Sequence, residues 1–221
     1  MLMTLTGCGA KDKGEEPSPA ANQAASSTDN AKAALAAAVV PGPKAGQPAG
    51  DPTHPTVVIE TSLGNIVVKL DAEKAPLTVQ NFLFYVDRHH YDGTIFHQVF
   101  KNYVALGGGY TEKLTEKPTV TPVRNEAHNG LKNTRGTIAM ARQPDVTDSA
   151  RSQFFFNLAD NATLDHQKQA SADLYGYCVF GKVVEGLDVV DRIANVPVKD
   201  VENFESLPIE TVLIKSIRQG R

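Results

Sequence analysis

The chain has 221 residues, with 22 Lys and Arg against 25 Asp and Glu and a formal charge of −3. That balance excludes a strongly basic nucleic-acid binder. The two cysteines exclude a disulfide framework or a four-thiolate metal site, and no run of eighteen apolar residues is present to cross a membrane as a helix.

Taken from the N-terminus, Leu5-Thr6-Gly7-Cys8 resembles a bacterial lipoprotein lipobox. The small residues before the cysteine suit a signal peptidase, and the thiol is then acylated. The resemblance implies lipidation at Cys8, a membrane anchor and an extracytoplasmic (periplasmic) location, with Cys178 left without a disulfide partner. The apolar run before Leu5 is only Met1 to Met3, shorter than a secretory signal's, and a chance cysteine in a disordered end is the alternative. Residues 1–8 are read as this signal segment and residues 9–53 as a disordered linker. Residues 10–50 hold thirteen Ala, with Pro, Gly, Ser, Gln and Asn filling most of the rest, too little apolar bulk to offset chain ordering. Ala31 to Val40 is too short to persist as a helix alone, and five prolines from Pro41 to Pro55 stop regular structure.

A folded domain is expected over residues 54–219. Thr56–Thr61 reads as a strand from its β-branched content. Ser62–Asn65 is a turn and Ile66–Leu70 a second strand. Pro76 suits the first turn of a helix, in which Val79, Phe82, Leu83 and Val86 follow the spacing of one buried face. Further strands are expected at 94–99, 104–106, 137–141, 154–157, 177–184 and 209–217, with a short helix carrying Leu187, Val190 and Ile193. About eight strands and two helices suggest a mainly β fold, a closed eight-stranded antiparallel barrel capped by two helices. All fifteen aromatics, nine Phe and six Tyr, lie between Phe82 and Phe204, so most belong to this core. Gly107-Gly108-Gly109 lacks a following Lys-Ser/Thr and is no phosphate loop. It reads as a site of tight turning or close backbone approach. His89 and His90 read as surface histidines.

Eight segments carry a wider resemblance. They are Phe96-His97, Gly107–Gly109, Asn125-Glu126-Ala127, Asn129-Gly130-Leu131, Gly136–Arg142, Ser152–Phe155, Leu164-Asp165-His166 and Val179–Gly186. In this order and spacing the chain from Thr56 to about Ile217 resembles a bacterial cyclophilin, a peptidyl-prolyl cis-trans isomerase. The family fold is an eight-stranded barrel with two capping helices, in agreement with the strand count. The resemblance implies an isomerase (rotamase) that helps proteins fold, acts on proline-containing polypeptides as a monomer, and needs no cofactor and no metal.

It also implies site residues. Phe155 matches the floor of the proline pocket, Gln153 a substrate-backbone contact, Ala141 and Arg142 the strand end lining the groove, Leu164 a pocket wall and His97 the motif histidine. Tyr177 matches a position where bacterial members often have Tyr. Tyr103 keeps an aromatic wall, Val104 shortens a methionine wall, and Thr163 stands where others carry Trp or Phe. The catalytic arginine position is Gln98, and Leu106 replaces the glutamine that helps hold that arginine. These two departures imply reduced turnover, or a chaperone or scaffold module that binds proline segments without catalysis. His97 is read either as catalytic or as a packed, hydrogen-bonded histidine, Arg142 as a groove residue or a solvated charge, and Gln153 as a groove residue or a polar strand position.

Overall fold

The computed structural model describes residues 51–220 apart from 168–170 and 173. Cys8 and the linker up to residue 50 lie outside the described residues. The described residues form ten strands: β1 Thr56–Thr61, β2 Gly64–Leu70, β3 Thr94–Phe100, β4 Val104–Thr111, β5 Thr137–Met140, β6 Phe154–Asn157, β7 Val179–Glu185, β8 Val198–Val201, β9 Phe204–Pro208 and β10 Leu213–Gln219. Helix α1 runs Pro76–Asp87 and α2 Leu187–Ala194. Eight strands close an antiparallel barrel in the order β1-β10-β3-β4-β6-β5-β7-β2, and β8 and β9 form a separate two-stranded hairpin.

The barrel interior is filled by alternating residues from each strand. Phe96, Phe154, Phe156, Ile138, Phe180 and Ile59 are each fully buried. Phe154 meets Phe82, Tyr91, Phe96 and Phe156 edge-on at centroid distances of 5.6–6.2 Å, the favoured aromatic arrangement. Two of the three glycines of β4 make room for these rings. A Cβ at Gly107 would lie 2.9 Å from the Phe96 ring, and one at Gly108 would lie 2.8 Å from Phe154 and 2.9 Å from Tyr91. The triple glycine is therefore a strand interior in close contact rather than a turn, and β4 extends to Thr111, beyond the expected Leu106.

Helix α1 buries Val79, Phe82 and Val86 as its spacing required, leaves the expected Leu83 half-buried, and adds Tyr85 and Thr78. Its first turn has no acidic residue and no side-chain cap of its own. The cap comes from 48 residues away: the Glu126 carboxylate accepts hydrogen bonds from Thr78 N at 2.8 Å, Thr78 Oγ1 at 2.7 Å and Leu77 N at 3.2 Å. Free helix N–H groups and the positive end of the dipole favour an anion there.

Three expectations need correction. The last strand starts at Leu213 rather than Ile209, because Ile209 is 56% exposed and lies in the bend after β9. The β8–β9 hairpin was not expected, since its residues are short, mostly exposed and without a clear apolar alternation. His89 is exposed, but His90 is half-buried against the Tyr85 ring at 4.6 Å.

Candidate functional site

The site is created by the second of two register shifts between β3 and β4. In the β3–β4 ladder Phe96 stands opposite Gly107, while Gln98 stands opposite Leu106. Two steps on β3 thus match one on β4, and His97 is the extra residue of a bulge. Side chains two apart on a regular strand share a face, whereas a bulge re-aims one of them. Phe96 can therefore enter the barrel while Gln98 turns to the outer surface. The rung continues from Leu106 to Phe155 on β6 and from Phe155 to Ala139 on β5. Residues directly opposite across a ladder share a face, so Gln98, Leu106, Phe155 and Ala139 line one row outside the barrel.

Phe155 anchors that row. Phe154 and Phe156 point inward, and Phe155 belongs instead to a second apolar cluster with Val104, Ala139 and Val179. Leu106, Ala141, Leu164 and Tyr177 pack partly buried around it. Phe155 is 4% exposed and meets the Tyr177 ring edge-on at 5.6 Å. Tyr103, at 40% exposure, and Thr163, also exposed, stand outside this cluster. Partial burial first, and then the neighbouring Tyr177, raise the Tyr103 phenol above its ordinary value. Gln98 is half-buried, and among the described residues no hydrogen bond engages its side chain.

Arg142 is held by structural bonds, while Gln153 and His97 are held by packing. The Arg142 guanidinium donates to four backbone carbonyls: Nε to Gly176 at 3.0 Å, Nη2 to Ala172 at 2.8 Å, and Nη1 to Gln143 at 2.9 Å and Pro144 at 2.7 Å. Its Cζ lies 4.9 Å from the centre of the Tyr177 ring. Arg142 therefore acts as a strut behind Tyr177 rather than a solvated loop charge. Gln153 lays its stem on Gly109, where a Cβ would come within 2.5 Å of Gln153 Cγ. His97 is 2% exposed, with its ring 4.7 Å from Tyr110 and 6.0 Å from Phe204 and its Nδ1 unpartnered. It packs among these aromatics, not among the groove side chains. Burial lowers its pKa to about 4, against the opposing effect of a hydrogen bond with the Ile95 backbone.

This burial sets a pH dependence of stability. A neutral imidazole is favoured in the fold, so stability is complete above the ordinary histidine pKa near 6.5 and falls as pH drops through it toward 4. For His97 the loss approaches about 3 kcal/mol at the bottom of that window. Burial and the Lys117 charge lower His90 in the same direction. Urea midpoints measured from pH 7.5 to 4.5 should fall, and His97→Phe should flatten that fall. An equally steep fall in the variant would assign it to other groups.

An asparagine network that sequence reasoning missed holds the Leu164 wall. Asn157 Nδ2 donates to Asn133 Oδ1 at 3.1 Å and Thr137 Oγ1 at 2.9 Å, while Asn157 Oδ1 accepts from Asn161 Nδ2 at 2.8 Å. Asn161 Nδ2 also donates to the Tyr103 carbonyl at 2.9 Å, and Asn133 Nδ2 donates to the Leu164 carbonyl at 3.0 Å. The only signal for it in the sequence is that three asparagines flank the strands that meet here.

The groove floor thus offers an apolar slot and polar rims, with no activated nucleophile among the described residues. Cys178 is in the barrel core with burial pushing its thiol up to about 12. Such a site can bind a compact apolar ring and bias the shape of the chain on either side of it.

Comparison with known proteins agrees with this geometry. The family model of cyclophilin type peptidyl-prolyl cis-trans isomerase/CLD matches residues 56–219. The chain is 47% identical over 166 residues to peptidyl-prolyl cis-trans isomerase A of Dickeya dadantii, covering 75% of this chain and 84% of that one. It is 49% identical over 162 residues to a peptidyl-prolyl cis-trans isomerase of Acinetobacter baylyi, covering 73% and 84%. A crystal structure of a Cryptosporidium parvum cyclophilin type isomerase shares the fold, with a TM-score of 0.63 at 24% identity over 76% of this chain and 98% of that one.

Proposed function

The chain belongs to the cyclophilin-type family of peptidyl-prolyl cis-trans isomerases, and from that membership we propose an isomerase of slowed turnover that acts on proline-containing, extracytoplasmic clients from a lipid anchor at Cys8. The single observation that carries the slowed turnover is the rung Gln98–Leu106–Phe155, with Gln98 unengaged.

Rotation about an X–Pro bond requires loss of amide resonance, a barrier of roughly 18–20 kcal/mol. No covalent step is needed. The protein must seat the proline ring, hold the flanking chain and favour the twisted state over both planar isomers. Phe155, Val104, Leu164 and Leu106 supply the seat. In the twisted amide the prolyl nitrogen regains a lone pair, and a donor aimed at it stabilises that state selectively. Gln98 holds the position for this donor. A neutral hydrogen bond contributes about 0.5–1.5 kcal/mol against about 1.5–3 for a charged one. If the amide reaches the nitrogen, the rate falls about 5–30-fold below that of a charged donor.

A protease-coupled assay on a short Ala-Pro peptide, run beside NMR titration, tests this. We expect shifts at Phe155 and exchange between isomers faster than uncatalysed but slow for an enzyme. Shifts without exchange would assign the groove to proline-segment binding alone, and no shifts would remove the proline site. The anchor rests on Leu5–Cys8 and the low-complexity stretch that follows. Detergent-phase partitioning of protein expressed with a signal sequence should be lost in Cys8→Ser. Unchanged partitioning would refute lipidation there.

A further inference from the structure

We propose that the client polypeptide is gripped a second time, in a cleft beyond the β3–β4 turn that takes an apolar residue beside an acidic one, three or four positions from the proline. This rests on proline-segment binding at the groove.

The cleft has a volume of about 460 Å³ and lies between the end of β3, the segment after α2 and the β8–β9 hairpin. Phe100, Val196, Pro197 and Val198 give it apolar walls. Val198 is 39% exposed on β8, whose only ladder partner among the described strands is β9. Phe100 is shared by the cleft and the groove. It packs against the cluster of Val104 and Phe155 and also lines the cleft. One aromatic side chain thus forms the partition between the two.

The ladder gives the separation. Phe155 is opposite Leu106, Val104 lies two residues further along β4, and Val104 is opposite Phe100. Two residues along a strand and two strands across place Phe100 about 12 Å from Phe155. An extended chain advances about 3.3 Å per residue, so a client leaving the proline seat reaches the cleft at its third or fourth residue.

Charge selects the occupant. Lys101 is the one charged residue among the described residues lining the cleft, it is exposed, and it has no ion-pair partner among them. An acidic residue on the client would meet this ammonium, while a basic one would be repelled. Ser206 of the lining, at φ 51°, and Asn102, next to Lys101 and at φ 60°, are non-glycine residues in left-handed conformation. The Asn102 turn is closed by a hydrogen bond from Tyr103 N to the Phe100 carbonyl at 2.9 Å, and Ser206 N donates to Asp200 Oδ1 at 2.9 Å.

The test uses the full chain and peptides with an Ala-Pro core. Each carries Leu-Glu or Leu-Lys at the third and fourth positions from the proline, before it or after it, and a short Ala-Pro peptide serves as reference. On one side of the proline the Leu-Glu peptide should bind about two- to fivefold more tightly than Leu-Lys, the range expected of an exposed ion pair. The preference should shrink in high salt, and Lys101→Glu should reverse the ratio. Equal affinities on both sides, or an unchanged ratio in Lys101→Glu, would overturn the cleft while leaving the proline groove standing. Failure of the short reference peptide to bind would remove both.

Discussion

Placing arginine at Gln98 together with glutamine at Leu106 is expected to raise kcat/KM on a short Ala-Pro peptide by about two to three orders of magnitude where the Gln98 amide falls short of the prolyl nitrogen, the contribution of a whole donor aimed at developing charge, and by about 5–30-fold where the amide reaches it. The ladder explains why two changes are needed. Gln98 and Leu106 face each other across β3 and β4, and Leu106 stands between Gln98 and the Phe155 floor. An arginine at 98 must cross Leu106 to reach a prolyl nitrogen held over Phe155. Leucine offers that guanidinium no acceptor, whereas a glutamine carbonyl opposite it does. Gln98→Arg alone should gain only part of the effect, because a flexible cation without a partner occupies many rotamers. Glutamine at 106 alone should gain almost nothing. Phe155, Val104 and Leu164 are unchanged in all three variants, so most of the gain should fall on kcat, with KM moving only as far as the loss of Leu106 from the seat moves it. A double variant no faster than wild type would show that the groove is altered elsewhere, with Thr163 the first place to look.

The parts of this site that could be read in the sequence are those that depend on local pattern. Alternation in Phe154-Phe155-Phe156 already required one ring to face away from the other two, and the ladder assigns that ring to the groove. The paired departures at Gln98 and Leu106 could be seen as residue types, and the register makes them neighbours. Other features depend on which segments meet after folding. The bulge at His97 arises because β3 and β4 are out of step by one residue, and nothing in Ile95 to Val99 alone announces it. Arg142 read equally well as groove lining or surface charge, because its partners at Ala172 and Gly176 lie some thirty residues on. The β8–β9 hairpin follows neither strand alternation nor a helical period, so the cleft it borders could not be anticipated. Glu126 lay within a recognisable Asn-Glu-Ala segment, but its task of capping α1 appears only when the two elements are adjacent.

Asn157→Ala is expected to cost about 2–4 kcal/mol and to lower Tm by about 5–15 °C. Asn157 is fully buried, and its side chain joins three partners. Removing it leaves Asn133 Oδ1 without the Asn157 donor, Thr137 Oγ1 without its acceptor role, and Asn161 Nδ2 with only the Tyr103 carbonyl. Buried groups that lose a partner cost more than the net value of the bond itself, and alanine leaves too small a side chain to fill the space. The functional effect follows from what the network holds. Asn133 fixes the Leu164 carbonyl, which also accepts from Tyr177 N at 2.9 Å, and Asn161 fixes the backbone of Tyr103. Loosening these walls weakens the proline seat equally for planar and twisted states, so KM should rise several-fold while kcat changes little. Thr137→Val provides the comparison, since it removes one bond of the network and leaves the Asn133 and Asn161 links in place; it should move Tm by less and KM hardly at all. A lower Tm with unchanged KM in Asn157→Ala would mean that the network serves the barrel alone and that Leu164 and Tyr177 keep their places without it.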